Sequence, residues 1–168
     1  DQADDQNHKE ALKELVTAAI PKMDPAGFWA QEKTRKPSDS SPFVLTAQIL
    51  LAMKQLADRG DKDVEAAMKQ PMAWIRTAPP ETIQDWVFQL LALKWCGTQI
   101  DDPQIQSIRQ HLIRSIDGPE GWVDTPDAGH DKLLPTAQAL YAIRMAGEPS
   151  DSPTFKRGVR YLMHHQSK

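Results

Sequence analysis

One short pattern, Leu-x-Ala-hydrophobic-Lys/Arg, occurs three times in this chain and constrains its fold more than any other feature. The copies are Leu50–Lys54, Leu90–Lys94 and Leu140–Arg144. The tripeptide Thr-Ala-Gln, beginning at Thr46 and Thr136, precedes the first and third copies. Units that recur at intervals of roughly 20 to 50 residues are typical of repeat proteins, in which successive copies stack on one another. The sequence therefore predicts a chain built from similar units.

Helix-start and helix-stop signals flank these copies, whereas the alternating pattern of strands is absent. Three candidate starts carry a small polar residue followed by Pro: Ser41, Asp102 and Ser152. Such a side chain accepts a hydrogen bond from an unpaired backbone N–H, and Pro at the first helical position loses no useful donor. Three candidate ends carry Gly: Gly60, Gly97 and Gly147. The fold class predicted from these signals is all-α.

We predict a single helical-repeat domain over residues 1–168, with a disordered tail at 1–4 and an opening helix over 5–20. Three helical hairpins follow, over residues 42–77, 81–116 and 134–166. Pro71 should kink the second helix of the first hairpin or end its first half. The first helices are apolar on most faces, which is typical of buried helices, and the second helices carry one apolar stripe. Stacked pairs of this kind predict an inner and an outer layer, curved into a partial, open α/α superhelix or toroid.

Composition and charge exclude several classes of function. The net charge is −3, without a clustered basic stripe, so we expect no nucleic-acid partner. No apolar run approaches the roughly 20 residues of a membrane span, so no transmembrane segment is predicted. Cys96 is the only cysteine, which excludes an internal disulfide and disfavours a cysteine-ligated metal. The chain starts at Asp1 rather than Met, which we interpret as a processed or truncated start. Such a start is compatible with export and leaves the compartment open.

The third repeat carries the most specific residues. It reads Gly121-Trp122, then Thr136-Ala137-Gln138-Ala139-Leu140-Tyr141-Ala142-Ile143, then Gly158-Val159-Arg160-Tyr161-Leu162 and Gln166. This series resembles the repeat of the terpenoid cyclase and protein prenyltransferase family, of the squalene–hopene cyclase type. The first repeat is similar through Gly27-Phe28-Trp29, Thr46-Ala47 and Trp74-Ile75, and the second fits weakly. The resemblance implies an α/α toroid of inner and outer helices, of which this chain would be a fragment.

The same resemblance directs attention to two chemistries. Class II cyclases of this family use an Asp-x-Asp-Asp acid just before the Thr-Ala of an inner helix, and Asp85 is the only carboxylate at a matching position. We interpret it as a charge that complements the helix dipole. The prenyltransferases bind zinc through Asp, Cys and His, but Lys94 stands where Cys96 would need an Asp. We therefore predict no catalytic residue, no cofactor and no metal ligand.

Two groups of residues are candidates for binding. A ligand cavity could be lined by Asp85, Trp86, Gln48 and Gln138, because Trp86 begins an inner helix where an aromatic ring could contact an apolar ligand. The simpler interpretation of the two Gln residues is that they satisfy backbone groups of a neighbouring hairpin. A polar loop site could be formed by Asp124, Asp127, His130 and Asp131. That spacing matches no calcium loop, so we favour a solvated loop.

The function predicted from these observations is that of a non-catalytic, terpenoid-cyclase-like repeat domain, acting as a scaffold or binding module. Its partner would be the rest of a longer repeat chain or another protein. Two alternatives stay open. One is a fragment of a polyprenyl cyclase whose acid motif lies outside this segment, and the other is a module that binds an apolar ligand, a lipid or a peptide.

Overall fold

The computed structural model describes residues 2–30, 41–116, 121–123 and 132–165. Every regular element in these ranges is helical, so the all-α class is confirmed. The elements are α1 (Gln2–Ala19), a 3₁₀ turn (Ile20–Lys22), α2 (Pro42–Asp58), α3 (Lys62–Ala67), α4 (Lys69–Thr77), α5 (Ile83–Trp95), α6 (Pro103–Arg114), α7 (Leu133–Met145) and α8 (Pro153–His164). Across the described ranges, none of these helices is both long and apolar enough to cross a membrane.

The chain divides into two compact units, Asp1–Ala78 and Pro79–Lys168. In the N-terminal unit, α1, α3 and α4 pack on α2. The core of that unit lies along α2, where Ala47, Leu50 and Met53 are fully buried. Helix α1 includes residues 2–4, which were predicted as a disordered tail. Gln2 and Ala3 have high helix propensity, and they extend the helix toward its start.

The predicted break at Pro71 is confirmed, since α3 and α4 are separate helices with Met68 between them. Pro71 occupies the first turn of α4. At that position its missing N–H has no intrahelical partner to lose, whereas a continuous helix would have needed a bond from residue 71 to the carbonyl of Ala67. Pro71 is buried, so its ring contributes apolar surface to the core while it ends the first half of the predicted helix.

In the C-terminal unit, α5 packs on α6 and α7, and α7 packs on α8. Helix α5 is buried on most sides, with Val87, Leu90 and Leu93 fully buried, as its nearly continuous apolar surface predicts. Helix α6 is one-faced, also as predicted. Its buried stripe consists of Ile105, Ile108 and Leu112. A buried first helix and a half-exposed second helix are therefore confirmed for this hairpin.

Cap residues begin and end these helices as the sequence predicts. The hydroxyls of Ser41 and Ser152 and the carboxylate of Asp102 accept hydrogen bonds from backbone N–H groups in the first turn of α2, α8 and α6. At the other ends, Gly60, Gly97 and Gly147 take positive φ values of 95°, 91° and 88°. In each case the backbone N–H of the residue after the glycine donates to the carbonyl oxygen five residues earlier: Asp61 to Leu56, Thr98 to Leu93 and Glu148 to Ile143. These bonds satisfy carbonyls that the last helical turn leaves unpaired.

The basic residue that ends two copies of the repeated pattern stabilises the same turn. Lys94 Nζ donates to the carbonyl oxygen of Thr98 at 2.7 Å. Arg144 Nη1 donates to the carbonyl oxygen of Glu148 at 3.1 Å. In the first copy, Lys54 instead forms an ion pair with Asp58. Because a cation near a helix C-terminus also complements the helix dipole, the repeated Lys/Arg is explained by the turn.

Candidate functional site

Asp85, the candidate acid, is a helix-capping residue in the structure. Its backbone N–H donates to Oγ1 of Thr82 at 3.1 Å. Its Oδ2 accepts hydrogen bonds from the backbone N–H groups of Glu81 and Thr82, both at 3.0 Å. The two residues therefore form a capping box that satisfies the unpaired donors at the start of α5. Asp85 is only 6% exposed, and its carboxylate acts as an acceptor of backbone N–H groups.

Trp86, the next residue, stacks on His111 of α6. The ring centroids lie 4.0 Å apart, and the ring planes are inclined by 25°. Burial lowers the pKa of His111 below its usual value of 6.5, because one face of its imidazole lies against the indole and a charged ring would lose water there. His111 as a whole is an exposed residue, and Trp86 is half-buried. The indole of Trp86 thus joins the two helices of one hairpin.

The two Gln residues named as cavity candidates differ in exposure. Gln48 is exposed on α2, in the N-terminal unit, and Gln138 is half-buried on α7, in the C-terminal unit. The buried amides lie instead on α5, where Gln84 and Gln89 are each 3% exposed. The physical reason is the direction of each residue on its helix. Residue 48 falls on the side of α2 that faces solvent, whereas α5 is buried on most sides and leaves no such side for its polar residues.

The predicted polar loop site, made of Asp124, Asp127, His130 and Asp131, lies outside the described residues. In the parts of the chain that are described, no group of three or more His, Cys, Asp or Glu side chains is arranged to hold a metal ion. Cys96, the only cysteine of the chain, is half-buried.

A site that the residue patterns did not predict is built around Trp122 in the C-terminal unit. The backbone N–H of Trp122 donates to Oγ1 of Thr136 at 3.0 Å. Its indole Nε1 donates to the carbonyl oxygen of Leu112, in the last turn of α6, at 2.7 Å. Both Trp122 and Thr136 are fully buried. One tryptophan therefore satisfies a helix-end carbonyl and is itself held by the first turn of α7.

The N-terminal unit contains the same arrangement around Trp29. Its backbone N–H donates to Oγ1 of Thr46 at 3.0 Å, and its Nε1 donates to the carbonyl oxygen of Ala19 at 2.8 Å. Trp29 is 3% exposed and Thr46 is fully buried. In both units the indole N–H donates a hydrogen bond to the carbonyl oxygen ten residues earlier. The backbone N–H of the same tryptophan donates to the side-chain oxygen of the Thr in Thr-Ala-Gln. We call each of these a Trp–Thr junction. Helices α1 and α6 have the same part in it, since each provides the carbonyl that accepts from the indole.

The junction in the C-terminal unit leaves no room for larger side chains at two glycines. Gly121 has a φ of 79°, and a Cβ added there would lie 2.3 Å from Oγ1 of Thr136. Gly158 of α8 lies against both α7 and the indole. A Cβ at that position would lie 2.9 Å from Cδ2 of Leu140 and 2.9 Å from Cζ3 of Trp122. These two glycines therefore allow α7, α8 and Trp122 to approach closely.

The sequence carries a signal for these junctions, because a Gly-containing segment with Trp precedes each Thr-Ala-Gln. Trp29 precedes Thr46 by 17 residues, and Trp122 precedes Thr136 by 14 residues. The hydrogen bonds use the Thr of Thr-Ala-Gln, whereas the sequence pattern predicts a structural role for the Gln. Both tryptophans belong to the buried core, so packing as well as hydrogen bonding holds these segments in place.

Comparison with protein-family models, with curated proteins and with solved structures finds no match to this chain. The resemblance to the terpenoid cyclase repeat stays a prediction.

Proposed function

We propose that this chain is a helical-repeat domain of the α/α-toroid type that acts as a scaffold or binding module. The observation that carries the proposal is the Trp–Thr junction, which occurs with the same two hydrogen bonds in both units. Such a junction fixes an outer helix, a loop and an inner helix in one geometry. Repetition of a fixed geometry is the property by which repeat proteins present extended faces of helices to their partners.

The role of Asp85 supports a module without catalysis over a polyprenyl cyclase. A cyclase acid must deliver a proton to an alkene, so its carboxyl group has to be a donor aimed at the substrate. Oδ2 of Asp85 instead accepts from two backbone N–H groups at the start of α5. These hydrogen bonds stabilise the start of the helix, as expected for a carboxylate in a capping box near the positive end of the helix dipole.

The proposal is tested with two assays on the purified chain. In the first, the protein is incubated with a linear polyprene such as squalene, and the products are analysed by gas chromatography with mass spectrometry. We expect unchanged substrate. Cyclised product that disappears in Asp85→Asn would overturn the proposal in favour of an acid catalyst.

In the second assay, fluorescence polarisation measures binding of a panel of amphipathic helical peptides, with acidic, neutral and basic polar faces. A scaffold or binding module should bind at least one class saturably. Absence of saturable binding across the whole panel contradicts the proposal, provided that circular dichroism shows the helical domain to be folded.

A further inference from the structure

The last hairpin presents an apolar stripe on α7 that its own unit does not cover. Leu133 and Tyr141 are 39% and 50% exposed, and Ala137 between them is exposed as well. These residues are spaced i, i+4 and i+8, so they form one line about 12 Å long at 1.5 Å per residue. The other sides of α7 pack on α5, α6 and α8. The stripe is therefore the remaining side of an otherwise buried helix.

Helix α8 continues this stripe on the same side of the hairpin. Val159 and Met163 are 39% and 63% exposed and lie one turn apart. Leu140 and Gly158 mark the facing sides of α7 and α8. Tyr141 follows Leu140 and Val159 follows Gly158, so each side chain is rotated by about 100° from the facing side of its own helix. In an antiparallel pair, equal rotations about the two helix axes turn both side chains to the same side of the plane that contains the axes. The two side chains consequently project to the same side, and we name the surface of Leu133, Ala137, Tyr141, Val159 and Met163 the α7–α8 face.

The charge around this face is opposite to that of the rest of the chain. Helices α7 and α8 contain no Asp or Glu, and they contain four cations: Arg144, Lys156, Arg157 and Arg160. The whole chain has 20 basic and 23 acidic residues, so the remainder has 16 basic and 23 acidic residues and a net charge of −7. Arg144, Lys156 and Arg160 are exposed. An occupant with acidic residues at its edges is therefore electrostatically matched to the hairpin.

The first repeat shows what covers the equivalent positions. Alignment of Thr46 with Thr136 makes Phe43 equivalent to Leu133 and Ala47 equivalent to Ala137. Phe43 is 5% exposed and packs on Trp74 of α4, with ring centroids 4.6 Å apart. Ala47 is fully buried. At this register position, the large apolar residue of the first repeat lies beneath an aromatic side chain of α4, the second helix of its own hairpin, whereas α8 leaves Leu133 of the third repeat exposed.

From the exposed stripe, its basic surroundings and the covered equivalent in the first repeat, we propose that the α7–α8 face docks an amphipathic helix with acidic flanks. The inference rests on the proposed function and names the partner class of one surface. Ala137, between two large residues, leaves a hollow for an apolar side chain of the partner helix, and Leu133 and Tyr141 pack on either side of it. Arg144 then lies at the edge, where it pairs with a carboxylate of the partner.

The test uses a labelled amphipathic peptide of about 18 residues, which is about 27 Å of helix, with Leu on one face and Glu on the flanks. A twin peptide carries Lys in place of Glu. Fluorescence polarisation with the full chain should give a Kd at least about tenfold lower for the Glu peptide than for the Lys peptide. Equal affinity for the two peptides, or no binding of the Glu peptide, overturns the inference. The proposed function is then judged separately, by the remaining peptides of the panel.

Variants locate the site. Tyr141→Glu and Val159→Glu, each tested alone, should raise the Kd of the Glu peptide at least about tenfold, since each places a charge in the apolar stripe. The matched control is Leu15→Glu, because Leu15 is 51% exposed on α1 of the N-terminal unit, and it should leave the Kd unchanged. Two stripe positions keep the test decisive if one variant fails to fold. A Kd that neither stripe variant changes contradicts the inference.

A final arm separates a protein partner from a lipid surface, because a basic apolar face can also meet anionic membranes. Sedimentation with vesicles of phosphatidylglycerol and phosphatidylcholine should leave the chain in the supernatant under conditions in which the Glu peptide binds. Binding to the vesicles that Tyr141→Glu abolishes, without binding of the Glu peptide, assigns the face to lipid and overturns the proposal.

Discussion

The backbone N–H of Trp122 and the side-chain hydroxyl of Thr136 lie 3.0 Å apart, and this hydrogen bond fixes the loop before α7 to the first turn of that helix. Both residues are fully buried, so the two groups have no access to water that could replace the bond. The indole N–H of the same tryptophan donates to the carbonyl oxygen of Leu112 in the last turn of α6. A single residue therefore sets the positions of two helices, and the N-terminal unit uses Trp29 in the same way.

Replacement of Thr136 by Val tests the energy of this hydrogen bond. The two side chains have nearly the same shape, but Val offers no acceptor to the buried N–H of Trp122. We expect Thr136→Val to lower the free energy of unfolding by about 1–3 kcal/mol, the cost of an unsatisfied buried donor. Urea denaturation followed by circular dichroism measures the change.

Two controls accompany this measurement. Thr136→Ser keeps the hydroxyl and should cost only about 1 kcal/mol, for the lost methyl group. Thr17→Val, at an exposed position of α1, should change the free energy by no more than about 0.5 kcal/mol. If Thr136→Val is as stable as Thr136→Ser, the hydroxyl does not hold the junction.

A comparison of two glycines separates backbone strain from steric overlap. Gly121 and Gly60 have φ values of 79° and 95°, so Ala is strained at both positions. A Cβ at Gly60 would meet nothing within 4 Å, whereas one at Gly121 would lie 2.3 Å from Oγ1 of Thr136. We expect Gly60→Ala to cost about 1 kcal/mol and Gly121→Ala to cost about 1–3 kcal/mol more. Equal shifts in the urea midpoint for the two variants would show that Thr136 does not approach Gly121 this closely.

Local features of this fold could be predicted from the sequence because their causes lie within a few residues. Ser152 followed by Pro153 predicts the start of α8, and Gly147 predicts the end of α7, since a cap needs only its own helix turn. The break near Pro71 is of the same kind. The capping box of α5 is also local, and Thr82 with Asp85 three residues later is its signature.

The candidate site could not be predicted in the same way, because it depends on which side of each helix is covered by another element. Gln48 occupies a repeated position on α2, yet it is exposed, while Gln84 on α5 is buried. Hydrophobic periodicity gives the apolar side of a helix but not the neighbours of a helix that is apolar nearly all round. The Trp–Thr junctions were missed for a related reason, since Thr136 bonds a residue 14 positions away.

The interior position of α5 is tested by a charge placed at its centre. Leu90 is fully buried. An unpaired carboxylate there costs several kcal/mol, which is comparable with the total stability of about 5–15 kcal/mol that a domain has. We expect Leu90→Asp to abolish the cooperative thermal transition seen by circular dichroism. The matched control is Leu15→Asp, at a position 51% exposed, which should melt within a few degrees of the wild-type protein. A cooperative transition of Leu90→Asp near that of the wild type would place the helix at the surface instead.

The stack of Trp86 on His111 predicts a specific dependence of stability on pH. Burial lowers the pKa of His111 in the folded chain below the value of 6.5 that it has when unfolded. The unfolded state therefore binds a proton at a higher pH than the folded state does. The contribution of this residue to stability is fully present above about pH 6.5 and is lost as the pH falls through the folded pKa.

This pH dependence is measured as a difference between two proteins, because carboxylates such as Glu65, whose pKa is lowered by Lys62, also lose stabilising contacts in acid. His111→Gln has no ionisable side chain at this position, so it removes the contribution of His111 to the pH dependence of the free energy of unfolding. The free energy of unfolding of the wild type relative to His111→Gln should therefore decline between about pH 7.5 and pH 5.5. A difference that stays constant over this interval, or that rises as the solution becomes more acidic, would mean that the imidazole is not desolvated by the indole of Trp86. Thr17→Val serves as the control, because it replaces an exposed residue of α1 and leaves every ionisable group in place, so its difference from the wild type should stay constant over this interval.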